Sequence, residues 1–284
     1  MTRIALIQQS ASDDRVANRE TGLANARRAV EEHHANVIAF AELAFESFYP
    51  QKRATPEVLA LAEPIPGPTT DRFCALAKEL GVVIVLNLFE RDGDNTFDSS
   101  PVIDADGSIL GSTRMFHVPD MPCFHEQGYY TLGDHGAPVY DTAAGRIGTA
   151  ICYDRHFPEY MRALGVAGAD LVITPQAGAV GEWPPGLYEA EMRIAAFQNG
   201  YFSALCNRVG QEEFLDFAGE SFVCDPGGNV IARAGTGTDE ILTCDVDLTE
   251  CAKSHARRIF MGDRRPEAYA DWLARPFQHR DGTT

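Results

Sequence analysis

Val82-Val83-Ile84-Val85-Leu86 is apolar without a break. A strand with one wet face alternates polar and apolar residues, so an unbroken run is expected where a strand is covered on both faces. Val37-Ile38-Ala39-Phe40, Gly148-Thr149-Ala150-Ile151 and Leu171-Val172-Ile173-Thr174 are further short runs of the same character. Arg3–Gln8, Tyr201–Asn207 and Ile241–Val246 also read as strands. Between these runs the period is helical. Asn18–His34 sets Leu23, Ala26, Ala29 and Val30 on one side. A helix capped by Thr69 or Thr70 runs to Leu80 with Phe73, Leu76 and Ala77 inward. Further helices are expected near Phe157–Val166 and over Leu187–Asn199. Pro101–Gly111 is a hairpin around Asp106-Gly107, and Ser221–Ala232 is a second around Pro226-Gly227-Gly228. Strands thus mix with helices, and hairpins with crossovers, which is an α/β fold with a mixed sheet. The two hairpins, one in each half, hint at internal duplication. No linker interrupts residues 1–284, so one domain is expected. The tail from Ala256 to Thr284 is polar but carries Phe260, Tyr269, Trp272 and Phe277. It packs either on its own domain or on a neighbouring subunit.

The formal net charge of −17 argues against nucleic acid or an anionic membrane as partner. Met1–Ile7 is too short an apolar run for a secretory signal, and no stretch approaches a membrane span. The seven cysteines are scattered, with no Cys-x-x-Cys and no His/Cys cluster. That usage points to free thiols in a reducing, cytoplasmic compartment, with no zinc site and no metal. Lys52, Lys78 and Lys253 are the only lysines.

Cys152 ends the run Gly148–Ile151 and is followed by Tyr153–Phe157 and then Pro158-Glu159, the first turn of a helix. A thiol on a strand-to-helix turn projects from a sheet end beside backbone N–H groups, as a nucleophile requires. Alone, such a residue reads equally as a buried structural Cys. Two acidic motifs upstream favour the nucleophile. Glu42, in Phe40-Ala41-Glu42-Leu43, sits at a strand's carboxyl end, where desolvation would raise its pKa toward a general base's range. Glu126 lies in Phe124–Tyr130, among Gly, Pro and aromatic residues that suggest an ordered loop walling a pocket.

These motifs together resemble the nitrilase superfamily of carbon–nitrogen hydrolases. The similarity runs from the first strand to Asp263-Arg264-Arg265-Pro266. It includes Arg114–Asp120, Glu126–Asp134, Ile151–Asp154 with Pro158-Glu159, and Asn207-Arg208-Val209-Gly210. The resemblance implies a four-layer α-β-β-α sandwich that assembles as homodimers or larger homo-oligomers, with no cofactor. It implies Glu42 as general base, Cys152 as the nucleophile that forms a thioester-type acyl-enzyme, the Tyr153 N–H as an oxyanion donor, and Glu126 as the residue that orients them.

One position departs from the family. Its third catalytic residue is a lysine two residues before the loop His, here His117, and this chain has Met115 there. Losing one oxyanion donor typically costs about 3–4 kcal/mol, or a hundred- to a thousandfold in rate. Met115 is either natural or a change made to disarm the enzyme. Lys52 follows the Glu42 loop and is one candidate to compensate. Arg114, turned inward by a register shift, is another, although strand neighbours normally face opposite ways.

Within the superfamily, Cys152–Pro158, Ala190–Arg193 and Gln198–Phe202 look most like the N-carbamoyl-amine and N-carbamoyl-amino-acid hydrolases, including β-ureidopropionase. The expected partner is therefore a small amide or ureido substrate. Simple amides and nitriles stay open. Arg155 suits a substrate carboxylate clamp, or else pairs with Asp154 or another nearby acid. Glu182 and Trp183 either line the pocket mouth or pack as ordinary loop. Two other functions compete: a catalytically silent member binding small amides or a protein, and a Cys–His hydrolase using His117 or His156.

Overall fold

The structure, a computed structural model, describes residues 1–275; Phe277 lies outside the described residues. Its strands are β1 (Thr2–Gln8), β2 (Val37–Phe40), β3 (Val83–Val85), β4 (Leu88–Asp92), β5 (Asn95–Ile103), β6 (Ile109–Arg114), β7 (Val139–Thr142), β8 (Gly145–Thr149), β9 (Leu171–Gln176), β10 (Phe202–Asn207), β11 (Val209–Gln211), β12 (Asp216–Ala218), β13 (Phe222–Cys224), β14 (Val230–Arg233) and β15 (Glu240–Val246). The helices are α1 (Arg15–Glu31), α2 (Pro56–Leu59), α3 (Pro68–Leu80), α4 (Pro158–Val166), α5 (Leu187–Asn199), α6 (Glu250–Lys253) and α7 (Pro266–Leu273).

One sheet has the order β15-β1-β2-β3-β5-β4 with β6 on β5, and the other β14-β13-β10-β9-β8-β7. In the first, β1, β2 and β3 run parallel. In the second, β8, β9 and β10 do. Alternation along the strands packs the two sheets face to face. Leu171, Ile173, Phe202, Ala204 and Cys206 turn toward Ile4, Leu6, Ile38 and Phe40 of the other sheet, while Val172 and Leu205 turn toward Tyr160, Leu164, Met192 and Ala196 of α4 and α5. On the far side, Ala26 and Ala29 of α1 and Phe73 and Ala77 of α3 pack on the first sheet. The layers are therefore helix, sheet, sheet, helix, and the period-two reading of these runs fits their burial. The two glycine-turn hairpins fall one in each sheet, as β5–β6 and β13–β14.

Several boundaries move, each for a capping or pairing reason. The first helix starts at Arg15 rather than Asn18, because Asp14 accepts from the N–H groups of Val16 and Ala17, both at 3.0 Å. Neither Thr69 nor Thr70 is the N-cap of α3. Gly67 is, with Pro68 at the first position, and the Thr70 hydroxyl accepts from the Gly67 N–H at 2.8 Å. The strand that opens the first hairpin begins at Asn95, not Pro101, since β4 pairs with the polar segment Asn95–Ser99, and its pairing with β6 starts at Ser99. In the tail, Pro266–Leu273 forms α7.

Phe40, Phe45 and Phe73 meet with ring centroids 5.0–5.4 Å apart between the helices and the first sheet. Phe73→Ala, which empties that contact, is expected to cost about 3–5 kcal/mol, read as a lowered urea midpoint. An unchanged midpoint would contradict this packing.

Candidate active site

The parallel strands of both sheets finish at one edge, where ligand sites of open α/β sheets gather. Glu42 follows β2, Cys152 follows β8, Gln176 ends β9, and Arg208 follows β10. Two backbone corners there are left-handed at residues other than glycine: Leu43 at φ 44° and Cys152 at φ 43°. Such corners are unfavourable for side chains with a Cβ, and they cluster where function needs a side chain aimed. The first sets the course of the chain after Glu42. The second turns the thiol out of the strand and starts a 3₁₀ turn over Cys152–His156.

Each corner is held by buried side chains. Arg208, 1% exposed, donates to the carbonyls of Glu42 and Glu46, both at 2.9 Å, and also to that of Leu43. It pairs with Glu212. Asn87 accepts from the Leu43 N–H at 2.8 Å and donates to Asp98 and, at 3.2 Å, to Ser100. At the other corner, Gln176 Nε2 donates to Cys152 Sγ at 3.1 Å. Arg155 donates to the Cys152 carbonyl and to Gln176 Oε1, both at 3.0 Å.

Glu42, Asp98 and Glu126 are fully buried. Asp98 and the Cys152 thiol are close enough to the Glu42 carboxyl to pull its pKa down against burial. Both oxygens of Glu42, both of Glu126 and Oδ2 of Asp98 lack a donor. Burial, and next the neighbouring Glu126, push Glu42 up to about 8. Asp98 is raised well above the carboxylate range by burial and by Glu42, and Glu126 likewise by burial and by Asp98. Burial, then Glu42 and Glu126, raise the Cys152 thiol, with Arg155 pulling the other way. Glu126 is thus no solvated loop acid. It opens a 3₁₀ turn whose carbonyl accepts from the Tyr129 and Tyr130 N–H groups, both at 2.8 Å.

Met115 is 1% exposed and packs in one apolar cluster with Leu43, Tyr130, Ile151 and Cys152. Its N–H donates to the Asp98 carbonyl at 2.8 Å, and its carbonyl accepts from the Gly133 N–H at 2.9 Å. A Cβ at Gly133 would stand 2.4 Å from the Arg114 carbonyl oxygen, so the close approach requires glycine there. Asp154 clamps the next residues, accepting from the Phe116 N–H at 3.2 Å, the His117 N–H at 2.9 Å and His117 Nδ1 at 2.8 Å. The His117 ring stacks on Phe157 at 3.5 Å.

Neither compensating cation reaches the cluster. Arg114 faces away, bound to Glu90 and Asp92, both at 2.7 Å, and to Asp134 at 3.1 Å, with its guanidinium on the Phe97 ring. The strand alternation holds, and the register shift does not occur. Lys52 is exposed and pairs with Glu213. It lines a cleft of about 590 Å³ with Tyr49, Tyr129 and Glu212, and neither Glu42 nor Cys152 lines that cleft. Arg155 pairs not with Asp154 but with Glu191, at 3.2 Å, under the Tyr188 ring. His156 also meets Glu191, at 2.6 Å, and Trp183 stands edge-on to His156 at 4.9 Å. Tyr153 packs edge-on to His156 and Phe157 at 5.2 and 5.4 Å. Glu182 accepts from the Ala179 N–H at 3.1 Å and from the Tyr188 hydroxyl.

Sequence reasoning missed Asp98, Asn87, Gln176 and the role of Arg208. A signal for Asp98 was present: Asp98-Ser99-Ser100 is a polar run followed, after Pro101, by apolar Val102-Ile103. Such a run in a central strand marks a buried polar site.

The raised Glu42 fixes the sign of a pH effect. An acid whose pKa is higher folded than unfolded holds its proton in the native state alone, over the interval between the two values. Stability should therefore fall as pH rises from about 4.5, the ordinary value, to about 8. Glu42→Gln should flatten that fall, so the variant gains most over the parent near pH 8. Urea midpoints across pH 5–9 test this. Parallel curves for the two proteins would show that Glu42 is not the group responsible.

With this geometry in hand, the relatives can be compared. Residues 3–256 match the carbon-nitrogen hydrolase family. An N-carbamoylputrescine amidase of Solanum lycopersicum is 35% identical over 287 aligned positions, covering 95% of this chain and 94% of the relative. A carbon-nitrogen hydrolase from Helicobacter pylori G27 superposes with a TM-score of 0.90 at 30% identity, over 97% of this chain and 99% of that one. A variant of the amidase from Nesterenkonia sp. AN1, 25% identical with a TM-score of 0.81 over 96% of this chain and 97% of that one, carries the acetamide moiety of fluoroacetamide covalently on its active-site cysteine. By sequence and by fold, the chain belongs to the carbon–nitrogen hydrolases of the nitrilase superfamily.

Proposed function

We propose that the protein hydrolyses a non-peptide C–N bond of a small ureido or amide substrate, with Cys152 as nucleophile and Glu42 as general base. The observation that carries this reading is that the Glu42 carboxyl and the Cys152 thiol, both buried at one edge of the paired sheets, lie near enough for each to shift the other's pKa. Glu42 would take the thiol proton as sulfur attacks the carbonyl carbon. It would then pass that proton to the leaving amine and finally activate the water that frees the acyl group. Glu126 would orient Glu42, and the Tyr153 N–H would meet the oxyanion. The N-carbamoyl class is favoured by the similarity to an N-carbamoylputrescine amidase. Arg155, His117, Glu182 and Trp183 would shape the pocket. Arg155 Nη2, buried and without a partner, is the atom left to meet a substrate carboxylate. The covalent cysteine adduct in the Nesterenkonia amidase supports the choice of nucleophile.

Met115 sets the level of activity. In the family's lysine position it offers neither charge nor donor, so turnover of neutral amides would be slow. A catalytically silent binding protein is the second reading, and the same residue favours it. As a homo-oligomer, the chain would assemble through its outer helical layer, where Val166, Ile194 and Ile259 are half exposed or more.

Met115→Lys is expected to raise ammonia release from N-carbamoylputrescine or N-carbamoyl-β-alanine by about a hundred- to a thousandfold. No gain in a folded variant would favour the silent reading. Cys152→Ala should remove single-site labelling by iodoacetamide, as seen by intact mass, and persistent labelling would mean that another thiol is the reactive one.

A further inference from the structure

Met115 is not the only feature that sets the polarity of this centre. Asp98 adds a second carboxyl beside Glu42, and Glu126 a third, all fully buried. Five of their oxygens have no donor. The Tyr130 hydroxyl is also buried and unpartnered, and Asp98, Glu126 and Glu42 are the charges it feels most. The two buried guanidiniums nearby each pair with another acid, Arg208 with Glu212 and Arg155 with Glu191, and neither donates to Glu42, Asp98 or Glu126. Among the described residues no three His, Cys, Asp or Glu side chains come together as a metal-chelating group. A buried carboxyl must either hold a proton or meet a cation that donates hydrogen bonds. Here no protein cation donates to these carboxyls, and their unmet oxygens lie near the thiol.

We propose that the reaction centre accepts a cationic amidine-type carbon, an amidinium or guanidinium, whose N–H groups donate to Glu42 and Asp98 while Cys152 faces the carbon. This rests on the reading of Cys152 as nucleophile. A planar amidinium presents parallel N–H donors that fit carboxylates two at a time, as arginine does. Its positive charge offsets the cost of ionising Glu42 and Asp98 in their buried place. A lysine aimed at the same place would repel it, and Met115 does not. Nor does its attack develop an oxyanion, so the missing donor matters less than for an amide. The chemistry balances with water alone. Sulfur bonds to the amidinium carbon as Glu42 takes the thiol proton. That proton leaves with one nitrogen as ammonia, and a thioimidate remains on Cys152. Water, deprotonated by Glu42, then adds to the same carbon and the C–S bond breaks, giving the amide (or, from a guanidinium, the urea) and the free thiol.

A matched pair of alkylating agents tests this on the full chain: cationic 2-chloroacetamidine and neutral 2-chloroacetamide. Each labelling rate at Cys152, followed by intact mass with Cys152→Ala as the blank, is divided by the rate with free N-acetylcysteine. The amidine is expected to win by about tenfold to a hundredfold, the range of a buried charge-assisted contact. Asp98→Asn, which keeps the shape, should bring the ratio toward one, and Met115→Lys should invert it. An equal or greater rate for the amide in the unaltered protein overturns the proposal and leaves Cys152 as nucleophile. So does an unchanged preference in folded Asp98→Asn. If neither agent labels Cys152, the nucleophile reading and this inference both fail.

Discussion

The guanidinium of Arg208 holds the turn on which the rest of the centre depends. After β2 the chain leaves the sheet through a left-handed Leu43, and this leaves the carbonyls of Glu42, Leu43 and Glu46 without strand partners. Buried carbonyls without donors cost about 1–3 kcal/mol each, so the turn would not survive unsupported. One arginine closes all three, and Glu212 neutralises it. The direction of the Glu42 side chain therefore follows from an ion pair formed behind it. Arg208 donates to the backbone rather than to the Glu42 carboxyl, and its charge only partly offsets the burial of that acid.

The consequence is electrostatic. Two ionised carboxylates about 4 Å apart repel by about 4 kcal/mol at an effective dielectric near 20, and burial adds to this. Glu42 therefore raises the pKa of Asp98, and Asp98 lowers that of Glu42, in the manner of two acids that cannot both ionise. Cys152 lies in the same field, which disfavours its thiolate. On the proposed chemistry, the thiol would then start neutral beside its base, not pre-ionised. Ionisation then has to accompany attack, and whatever approaches the sulfur decides how easily it occurs.

The architecture was legible because it rests on periods. Unbroken apolar runs marked the strands of the central sheets, and α5 fell where its pattern placed it, over Leu187–Asn199. Glu42, Cys152 and Glu126 were legible as motifs. The supporting residues were not, because their roles are long-range: Gln176 meets Cys152 and Asn87 meets Leu43 only through sheet order. Helix starts slipped where a cap lay outside the apolar pattern, at Asp14 and Gly67. Arg114 was the instructive case. Strand alternation alone argued that it faces away, and three acids hold it there.

Fold and chemistry separate cleanly at Met115. Its backbone is fixed by the Asp98 carbonyl and the Gly133 N–H, and Asp154 clamps the two residues that follow. None of these bonds uses the side chain. A thioether fills about the volume of a lysine stem and packs against Leu43 and Ile151 as such a stem would. The loop therefore keeps its place whichever residue occupies the position, and only the charge presented to the sulfur changes. A relative with lysine and this chain can share the same sandwich and corners, and on the proposed chemistry would still differ in which carbon, neutral or cationic, the thiol meets.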